Sequence, residues 1–504
     1  MFLRRTLKTS TCIWAVVCAL LLFLLNEQRT ERVEQALATD KSFLVRRKLW
    51  STDLHAGPIG CQLEMLKSIN VEVVAKIDFS NCVFFRNSDG RDICGKTRNL
   101  KVLNYDGWRG FSLDPSPAVL RRNFYDAYKH DEEFGNVDYV MCSHPAANCE
   151  LYLAFNKSII IYNTQRIEFG RDDEYVWWRQ PFLGNRSARW NHWASNLRSL
   201  SRNPMHMVAA NNRYDVNHML YHTGVTAKYI PSWCGGELDE ITSGKYEPQT
   251  SELVLTPYRL NLEYSPKSIP QHGWPLARDI DPLEHPLFDE LHALQLSEYF
   301  SVISMSAAFP GGKFESFSSF GAFKAAVVIP YQASTMFFFQ LYRSSTPILA
   351  PTSKLLMSWV QKHRILWEVS YGNPPRSNEE HDFDTYPNPN NFDAESRQAW
   401  VEFFDIYQID TFPHILYFDS WSDALSIAQT TDFAKVSDAM RQHNKREFHR
   451  IQELWLTEFA KLDKARRANI GRDSSDYDNN LARNGFESLA SVESWLDGQS
   501  NLVA

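Results

Sequence analysis

Short β-rich runs alternate with amphipathic helical stretches along most of this 504-residue chain, and this alternation limits the fold to an α/β architecture. A strand, a helix and a second strand in series require parallel strands, whose sheet is covered by helices on both faces. In the first half, the β-rich runs are 71–77, 100–103, 137–142, 158–162, 205–210 and 227–230, and the helical stretches are 117–128, 187–201 and 216–223.

A second series of the same kind begins at residue 253. Its extended runs are 253–255, 300–305, 325–329 and 346–349, and its helical runs are 286–296, 314–323 and 336–342. We therefore predict two Rossmann-like, doubly wound domains that face each other across a cleft, where such sheets bind ligands at the carboxyl ends of their strands. The predicted N-terminal domain is 56–245 and the C-terminal domain is 246–394.

The rest of the chain after this second series is predicted to be mostly helical. Residues 395–470 are expected to form C-terminal helices that brace both domains, because Ile451, Trp455 and Phe459 have a spacing that suits packing on a core. The polar segment 471–504 is predicted to be a disordered tail.

The N-terminus carries a membrane signal. Arg4, Arg5 and Lys8 precede an uncharged apolar run at 12–25, and basic residues on that side favour a cytosolic tail. We predict a cytosolic tail at 1–10, a transmembrane signal anchor at 11–25 and a stem at 26–55, which makes a single-pass type II membrane protein of the Golgi or endoplasmic reticulum with a lumenal body. A cleaved signal peptide is the alternative.

Composition excludes two classes of function. A net charge of -7 and a pI near 6.1 indicate no general affinity for nucleic acid. No later window approaches eighteen apolar residues, so a multi-spanning carrier or channel is excluded.

Covalent features agree with a lumenal body. An even number of cysteines outside the apolar run predicts up to three disulfides, in any of fifteen pairings, with buried free thiols as the alternative. The candidates are Cys61, Cys82, Cys94, Cys142, Cys149 and Cys234. Two N-x-S/T sequons, at Asn156 and Asn185, predict N-glycosylation sites.

A candidate anion site follows the apolar strand at 325–329. Pro330 and Tyr331 begin a turn that carries Ser334 and Thr335 to the start of the helix at 336–342. Backbone N–H groups and small hydroxyls at a helix N-terminus can bind a diphosphate. The alternative for Ser334 is a simple helix cap.

This strand, turn, helix and strand block resembles the donor half of GT-B type glycosyltransferases, in which such a turn cradles the sugar nucleotide. Blocks at 142–145, 155–158, 209–215 and 221–224 resemble a eukaryotic, Golgi-like type II group of these enzymes. The resemblance covers about residues 95–460 and implies an N-terminal acceptor domain, a C-terminal donor domain, a nucleotide-sugar substrate and no metal or other cofactor.

One position departs from that family. Many GT-B enzymes hold the donor ribose with a glutamate on this helix, where the present chain has Gln340. An uncharged amide still binds a hydroxyl, but without charge assistance. Gln340 is therefore a candidate donor-binding residue and also the main argument for a non-catalytic protein.

Two basic residues are candidates for holding the diphosphate. Arg259 lies in a turn after the first strand of the second series, and Lys313 follows Pro310-Gly311-Gly312. Without a metal, such cations and helix dipoles stabilise the departing nucleotide diphosphate. Solvent-exposed surface charge is the alternative for each.

No metal site is predicted. Metal-dependent transferases place a D-x-D triplet directly after an apolar strand. The triplets at 279–281, 382–384 and 476–478 follow polar residues instead, and we interpret them as loops.

The predicted acceptor domain offers three candidates for the general base of an inverting transfer. His144, directly after the run at 137–142, is the first choice, and Glu150 and Asp215 are the others. A capping or core role is the alternative for His144, and Asp215 could cap the helix that follows it.

The sequence therefore predicts a metal-independent glycosyltransferase of the secretory pathway. Its partners are a nucleotide-sugar donor and a glycan or glycoprotein acceptor, whose hydroxyl receives the sugar. The alternatives are a non-catalytic lumenal protein that binds a glycan or nucleotide sugar on a transferase scaffold, and a Golgi sulfotransferase. The only Pro-Lys-Ser, at 266–268, follows no clear strand, which disfavours the sulfotransferase.

Overall fold

The computed structural model describes residues 46–53, 56–77, 117–143, 146–164, 185–234, 246–256, 283, 286–295, 301–310, 316–363, 365, 376–379, 381–389, 391, 393–469 and 480–481. The chain divides into two compact units, residues 1–47 and 48–504. Nearly all of the described residues belong to the second unit.

The first sheet has six strands among the described residues. They are β1 Arg47–Asp53, β2 Val71–Ile77, β3 Tyr139–Cys142, β4 Ser158–Asn163, β5 Met207–Ala210 and β6 Lys228–Tyr229. Their order is β2-β1-β3-β4-β5-β6. The pairs from β1 through β3, β4 and β5 to β6 are all parallel, which confirms the arrangement predicted from the sequence.

The second sheet has five strands. They are β7 Leu253–Leu255, β8 Val302–Ser304, β9 Ala325–Val327, β10 Ile348–Pro351 and β11 Leu416–Phe418. Their order is β11-β10-β9-β7-β8, and all four pairs are parallel. We call β1–β6 with their helices the N-terminal lobe, and β7–β11 with theirs the C-terminal lobe.

Two strands differ from the sequence prediction. β1 lies within the predicted stem, yet it pairs with β3 and buries Leu49 and Trp50. β11 lies within the region predicted to be helical, and it extends the second sheet beside β10. The predicted strand at 100–103 lies outside the described residues.

Each sheet has its first strand between its second and third. The order of strands therefore reverses between β1 and β3 in the N-terminal lobe, and between β7 and β9 in the C-terminal lobe. Ligands of open parallel sheets bind outside the carboxyl ends of the strands at such switch points. The topology thus marks one candidate crevice on each sheet.

The α-helices connect the strands and cover the sheets. They are α1 Ala56–Ser68, α2 Pro117–Tyr128, α3 Glu132–Gly135, α4 Asn185–Arg202, α5 Arg213–Thr223, α6 Asp289–Gln295, α7 Met305–Ala308, α8 Met336–Arg343, α9 Ser353–His363, α10 Ala394–Trp400, α11 Trp421–Thr430 and α12 Phe433–Asn469. Short 3-10 helices are Ala146–Tyr152, Pro286–Phe288, Phe317–Ala322, Val401–Phe403 and Asp405–Tyr407. Gly224 ends α5 at a φ of 70°, a left-handed conformation that glycine adopts without steric cost.

Two clusters of buried hydrophobic residues form the cores of the lobes. One lies between the first sheet and α2, with Trp50, Phe124 and Tyr152 among its buried members. The other fills the C-terminal lobe and continues into the N-terminal lobe through Tyr214 and Tyr221. The two lobes therefore share apolar packing, which helps to fix their relative orientation.

The long helix α12 contacts both lobes. Trp455 and Phe459 pack on Tyr162 and Tyr139 of the first sheet, with ring centroids 5.3 and 5.0 Å apart. Nearer its start, Asn444 accepts a hydrogen bond from Nη1 of Arg343 in the C-terminal lobe at 2.9 Å. One continuous helix thus links the two lobes.

Two disulfides are formed among the described cysteines. Cys61 of α1 bonds to Cys234, which follows β6, and Cys142 at the end of β3 bonds to Cys149. Disulfide formation is thus confirmed for four of the six candidates. Cys82 and Cys94 lie outside the described residues.

No helix within the described ranges is long and apolar enough to span a membrane. The predicted anchor at 11–25 lies outside those ranges, so it stays a prediction.

Acid should weaken the packing of α12 through His443. Its Nε2 lies 3.0 Å from the carbonyl oxygen of Thr411, and burial lowers the pKa of His443 to about 4, with nearby Arg343 adding to this shift. Between pH 6.5 and 4 the unfolded chain therefore binds a proton that the folded chain excludes. We expect the free energy of unfolding to fall by roughly 1 kcal/mol per pH unit in this range.

Urea unfolding at several pH values would measure this effect. The matched variant His443→Gln can still donate to Thr411 but does not titrate, so its stability should depend less on pH between 6.5 and 4. An equal pH dependence in the two proteins would contradict the assignment.

Candidate functional site

The carboxyl edges of the two sheets meet at the boundary between the lobes. The sulfur of Cys61 in α1 lies 4.0 Å from that of Met336, the first residue of α8. Tyr229, at the end of β6, shares a hydrogen bond of 3.0 Å with Thr411. The first contact therefore places the start of α8, which follows β9, beside α1, which follows β1. The second joins the end of β6 to the segment before β11.

The turn from β9 to α8 leads into a helix N-terminus and carries the hydroxyls of Ser334 and Thr335. Thr335 is the helix cap, because its hydroxyl accepts a hydrogen bond from the N–H of Phe338 at 3.4 Å. Ser334 is only 7% exposed, and its hydroxyl oxygen has no hydrogen-bond partner in the described part of the chain. The helix cap is thus Thr335 and not Ser334, and the hydroxyl of Ser334 makes no hydrogen bond within the described part of the chain.

Part of this turn is covered by another segment. The carbonyl oxygen of Ala333 accepts a hydrogen bond from the N–H of Asp405 at 3.1 Å, and Ala333 is buried. Tyr331, Gln332 and Thr335 are only half-buried. The start of α8 is therefore covered on the side of Asp405 and partly exposed along the turn.

Of the other donor-site candidates, the structure describes only Gln340. Gln340 is half-buried on α8, one turn after Met336, and its side chain makes no hydrogen bond to any described residue. Arg259 and Lys313 lie outside the described residues. Arg259 follows the end of β7 by four positions in the sequence, and its role stays a prediction.

Glu150 is a buried acid that belongs to a chain of polar contacts. It lies in the 3-10 helix after β3, is 2% exposed, and accepts a hydrogen bond from Nδ2 of Asn196 at 2.6 Å. The same nitrogen lies 3.2 Å from Nε2 of His192, which is half-buried. Glu150 can thus orient His192 through Asn196. His192 was not predicted as a site residue, and a histidine four residues before an asparagine on a helix is no specific signal of a site.

Asp215 does not cap the helix that follows it, which was the alternative to a catalytic role; it is the third residue of α5 and pairs with the capping residue. Asn212 caps α5 and accepts from the N–H of Asp215 at 2.7 Å, while its own amide donates to the Asp215 carboxylate at 2.6 Å. Asp215 is fully buried. This reciprocal pair stabilises the first turn of α5, and the role of general base stays a prediction.

His144, the first choice for the base, lies outside the described residues. It follows the end of β3 by two positions, and β3 is one of the two strands at the N-terminal switch point.

Asp405 is a buried acid at the lobe boundary that the sequence analysis missed. It is 1% exposed, and burial raises the pKa of Tyr229 with a further contribution from the negative charge of Asp405. The carboxylate therefore lies close to the end of β6. No local motif surrounds it in the sequence, so only the fold reveals its position.

The described residues contain no group of three or more His, Cys, Asp or Glu side chains that could hold a metal ion. In the triplet 382–384, Asp384 forms an ion pair with Arg376, as expected for a loop. The other two triplets lie outside the described residues, and metal independence stays a prediction.

The two sequon asparagines lie in different kinds of structure. Asn156 is exposed in the segment before β4, where a glycan could be attached. Asn185 is the first residue of α4. Glycosylation of either residue stays a prediction.

Comparisons with known proteins add little. No protein-family model matches the sequence, and no curated protein matches it. Among solved structures, the chain is similar to the crystal structure of the glycotransferase of kitacinnamycin, with a TM-score of 0.39 and 9% sequence identity over 82% of this chain and 99% of that one.

Proposed function

We propose that this protein is a glycosyltransferase that binds the diphosphate of a nucleotide sugar at the start of α8. The observation that supports this most directly is the buried hydroxyl of Ser334, which has no partner among the described residues although a helix N-terminus lies beside it. A buried polar group without a partner costs free energy, and a bound phosphate oxygen would remove that cost.

The chemistry proposed for this site needs no metal. Glycosyl transfer creates negative charge on the departing nucleotide diphosphate, and the N–H groups at the start of α8 and the hydroxyl of Ser334 would stabilise it. Arg259 and Lys313 are the proposed cations. Gln340, one turn along α8 from Met336, is the proposed contact to the donor ribose.

The acceptor would bind to the N-terminal lobe, opposite α8. In an inverting transfer, a general base takes the proton of the attacking hydroxyl, and His144 is the residue proposed for this step. A glycan or glycoprotein acceptor and a lumenal location in the Golgi or endoplasmic reticulum remain part of the proposal and depend on the predicted anchor.

The first test is the substitution Ser334→Ala. We expect it to weaken binding of the donor about tenfold or more, since hydrogen bonds to charged groups contribute about 1.5–3 kcal/mol. We expect no loss of stability, because the hydroxyl makes no hydrogen bond to a described residue in the free protein. Calorimetric titration with a panel of sugar nucleotides and thermal unfolding of the same samples would measure both quantities.

Ser344→Ala is the matched control, because Ser344 lies at the other end of α8 and its hydroxyl donates to the carbonyl oxygen of Leu341 at 2.7 Å. It should lower stability slightly and leave donor affinity unchanged. The proposal is overturned if the folded protein neither binds nor hydrolyses any sugar nucleotide in the panel, or if both variants bind the donor equally well.

His144→Ala separates an enzyme from a non-catalytic binding protein. In an enzyme, this substitution lowers turnover far more than donor affinity. In a binding protein, the wild type shows no turnover at all, and the variant keeps the affinity for the ligand.

A further inference from the structure

A buried arginine of the N-terminal lobe has a side-chain N–H without a partner among the described residues. Arg121 of α2 is 2% exposed, and its buried Nε has no hydrogen-bond partner in the part of the chain that the structure describes. Its neighbour Arg122 is half-exposed and pairs with Asp126 at 3.2 Å. The absence of a partner is thus specific to the buried residue.

Burying a guanidinium without a partner is expensive. Arginine stays charged in proteins, so it cannot avoid this cost by losing its proton. Buried charges in native proteins are accordingly paired with an opposite charge or with hydrogen-bond acceptors. A ligand that carries an anionic group would supply the missing partner.

The location of Arg121 agrees with a ligand site. Phe124 of α2 packs against Tyr152 with ring centroids 5.0 Å apart, and Tyr152 in turn bonds to the side chains of Trp50 and Thr52 on β1. Because α2 leads from β2 back to the start of β3, it runs antiparallel to the strands. Arg121 precedes Phe124 by nearly one turn, and therefore lies closer to the carboxyl edge of the sheet.

A second buried group lacks partners in the same region. Asn148 lies four residues before Tyr152 in the 3-10 helix that returns from the end of β3, so it too is closer to the carboxyl edge. It is fully buried, and neither its Oδ1 nor its Nδ2 has a hydrogen-bond partner in the described ranges. Arg121 and Asn148 thus offer N–H donors from two elements that pack together through Phe124 and Tyr152, and guanidinium and amide donors are suited to an oxyanion.

We propose that Arg121 and Asn148 bind a carboxylate or phosphate group of the acceptor at the switch point between β1 and β3. This inference rests on the proposed function only in naming the ligand as the acceptor. The donor diphosphate is assigned to α8 of the other lobe, so the anionic group at Arg121 belongs to the second substrate. The acceptor is then an acidic molecule, such as a sugar acid or a phosphorylated glycan.

Thermal unfolding of the full chain tests this site without any sugar nucleotide. The probes are glucuronate, which carries a carboxylate, and inorganic phosphate, each titrated at constant ionic strength with chloride as the reference. A ligand that binds only the folded state raises the unfolding temperature. We expect one of the two probes to do so, and its identity distinguishes a carboxylate acceptor from a phosphorylated one.

Three variants decide the outcome. Arg121→Met should weaken the effect of the active probe at least tenfold, whereas Arg122→Met should leave it unchanged. Asn148→Asp places a carboxylate where the ligand is proposed to bind, so it should raise the unfolding temperature without ligand and abolish the response to the probe. This variant keeps the test valid if Arg121→Met does not fold.

The proposal is overturned if neither probe stabilises the wild type beyond chloride, or if Asn148→Asp lowers stability and keeps the response. Because no donor is present, these results are independent of the Ser334 experiment. If the wild type binds no sugar nucleotide but is still stabilised by one of the two probes, the proposed function is overturned and the oxyanion site is retained.

Discussion

The substitution Asn444→Ala is expected to lower the free energy of unfolding by about 3–5 kcal/mol, as is typical when one partner of a buried charge is removed. Asn444 is fully buried, and its Oδ1 is the hydrogen-bond acceptor for the guanidinium of Arg343. Its Nδ2 donates to the carbonyl oxygen of Tyr342 at 3.1 Å, which lies in the last turn of α8. Alanine would leave a buried cation and a helix end without these contacts.

Urea unfolding would measure this loss. Asn469→Ala is the matched control on the same helix, because Asn469 is half-buried and its Nδ2 donates to the carbonyl oxygen of Ala465 at 3.0 Å. A change within about 0.5 kcal/mol is expected there.

The double variant Arg343→Met with Asn444→Leu should recover part of the stability, since apolar residues of similar volume often replace a buried ion without loss. The side chain of Arg343 also lies 4.7 Å from the ring of Trp233, so some packing is lost in that variant. A loss below 1 kcal/mol in Asn444→Ala would contradict the role assigned to this contact.

Removal of the disulfide between Cys61 and Cys234 is expected to have an effect of similar or larger size. Its cysteines are 173 positions apart, and the loop-entropy relation gives about 5 kcal/mol for a link of that length. The link between Cys142 and Cys149 spans 7 positions, for which the same relation gives about 2–3 kcal/mol.

The two paired replacements by alanine therefore form a matched comparison. Urea unfolding of oxidised protein should rank the Cys61 and Cys234 pair as the more destabilised variant. Peptide mapping of the wild type by mass spectrometry checks the pairing itself. Equal stabilities of the two variants, or a different pairing, would contradict the expectation.

Much of the fold follows from local patterns. The apolar segment of β4 and the runs of β7 and β9 are buried strands where the sequence predicts them, because parallel strands covered on both faces need continuous apolar residues. β1 was missed, because Arg47, Lys48 and Asp53 make its sequence resemble a charged stem. Its pairing with β3, ninety residues later, is a long-range contact without a local signal.

In the candidate sites, too, some features follow from local sequence and others only from tertiary packing. The helix start at Thr335 was predicted from its turn, since capping depends on residues adjacent in the sequence. In contrast, the proximity of Asp405 to Ala333 and the burial of Nε of Arg121 without a described partner required coordinates. Both depend on which distant segments pack together.

By itself, the sequence determined the parallel α/β class, the division into two lobes and the helix N-terminus after β9, because periodicity and turn chemistry act over a few residues. Only the tertiary structure decided which polar groups lose water without gaining a partner. Burial is a property of the packed chain as a whole, and the free-energy cost of an unpaired buried group arises only when distant segments exclude solvent from it.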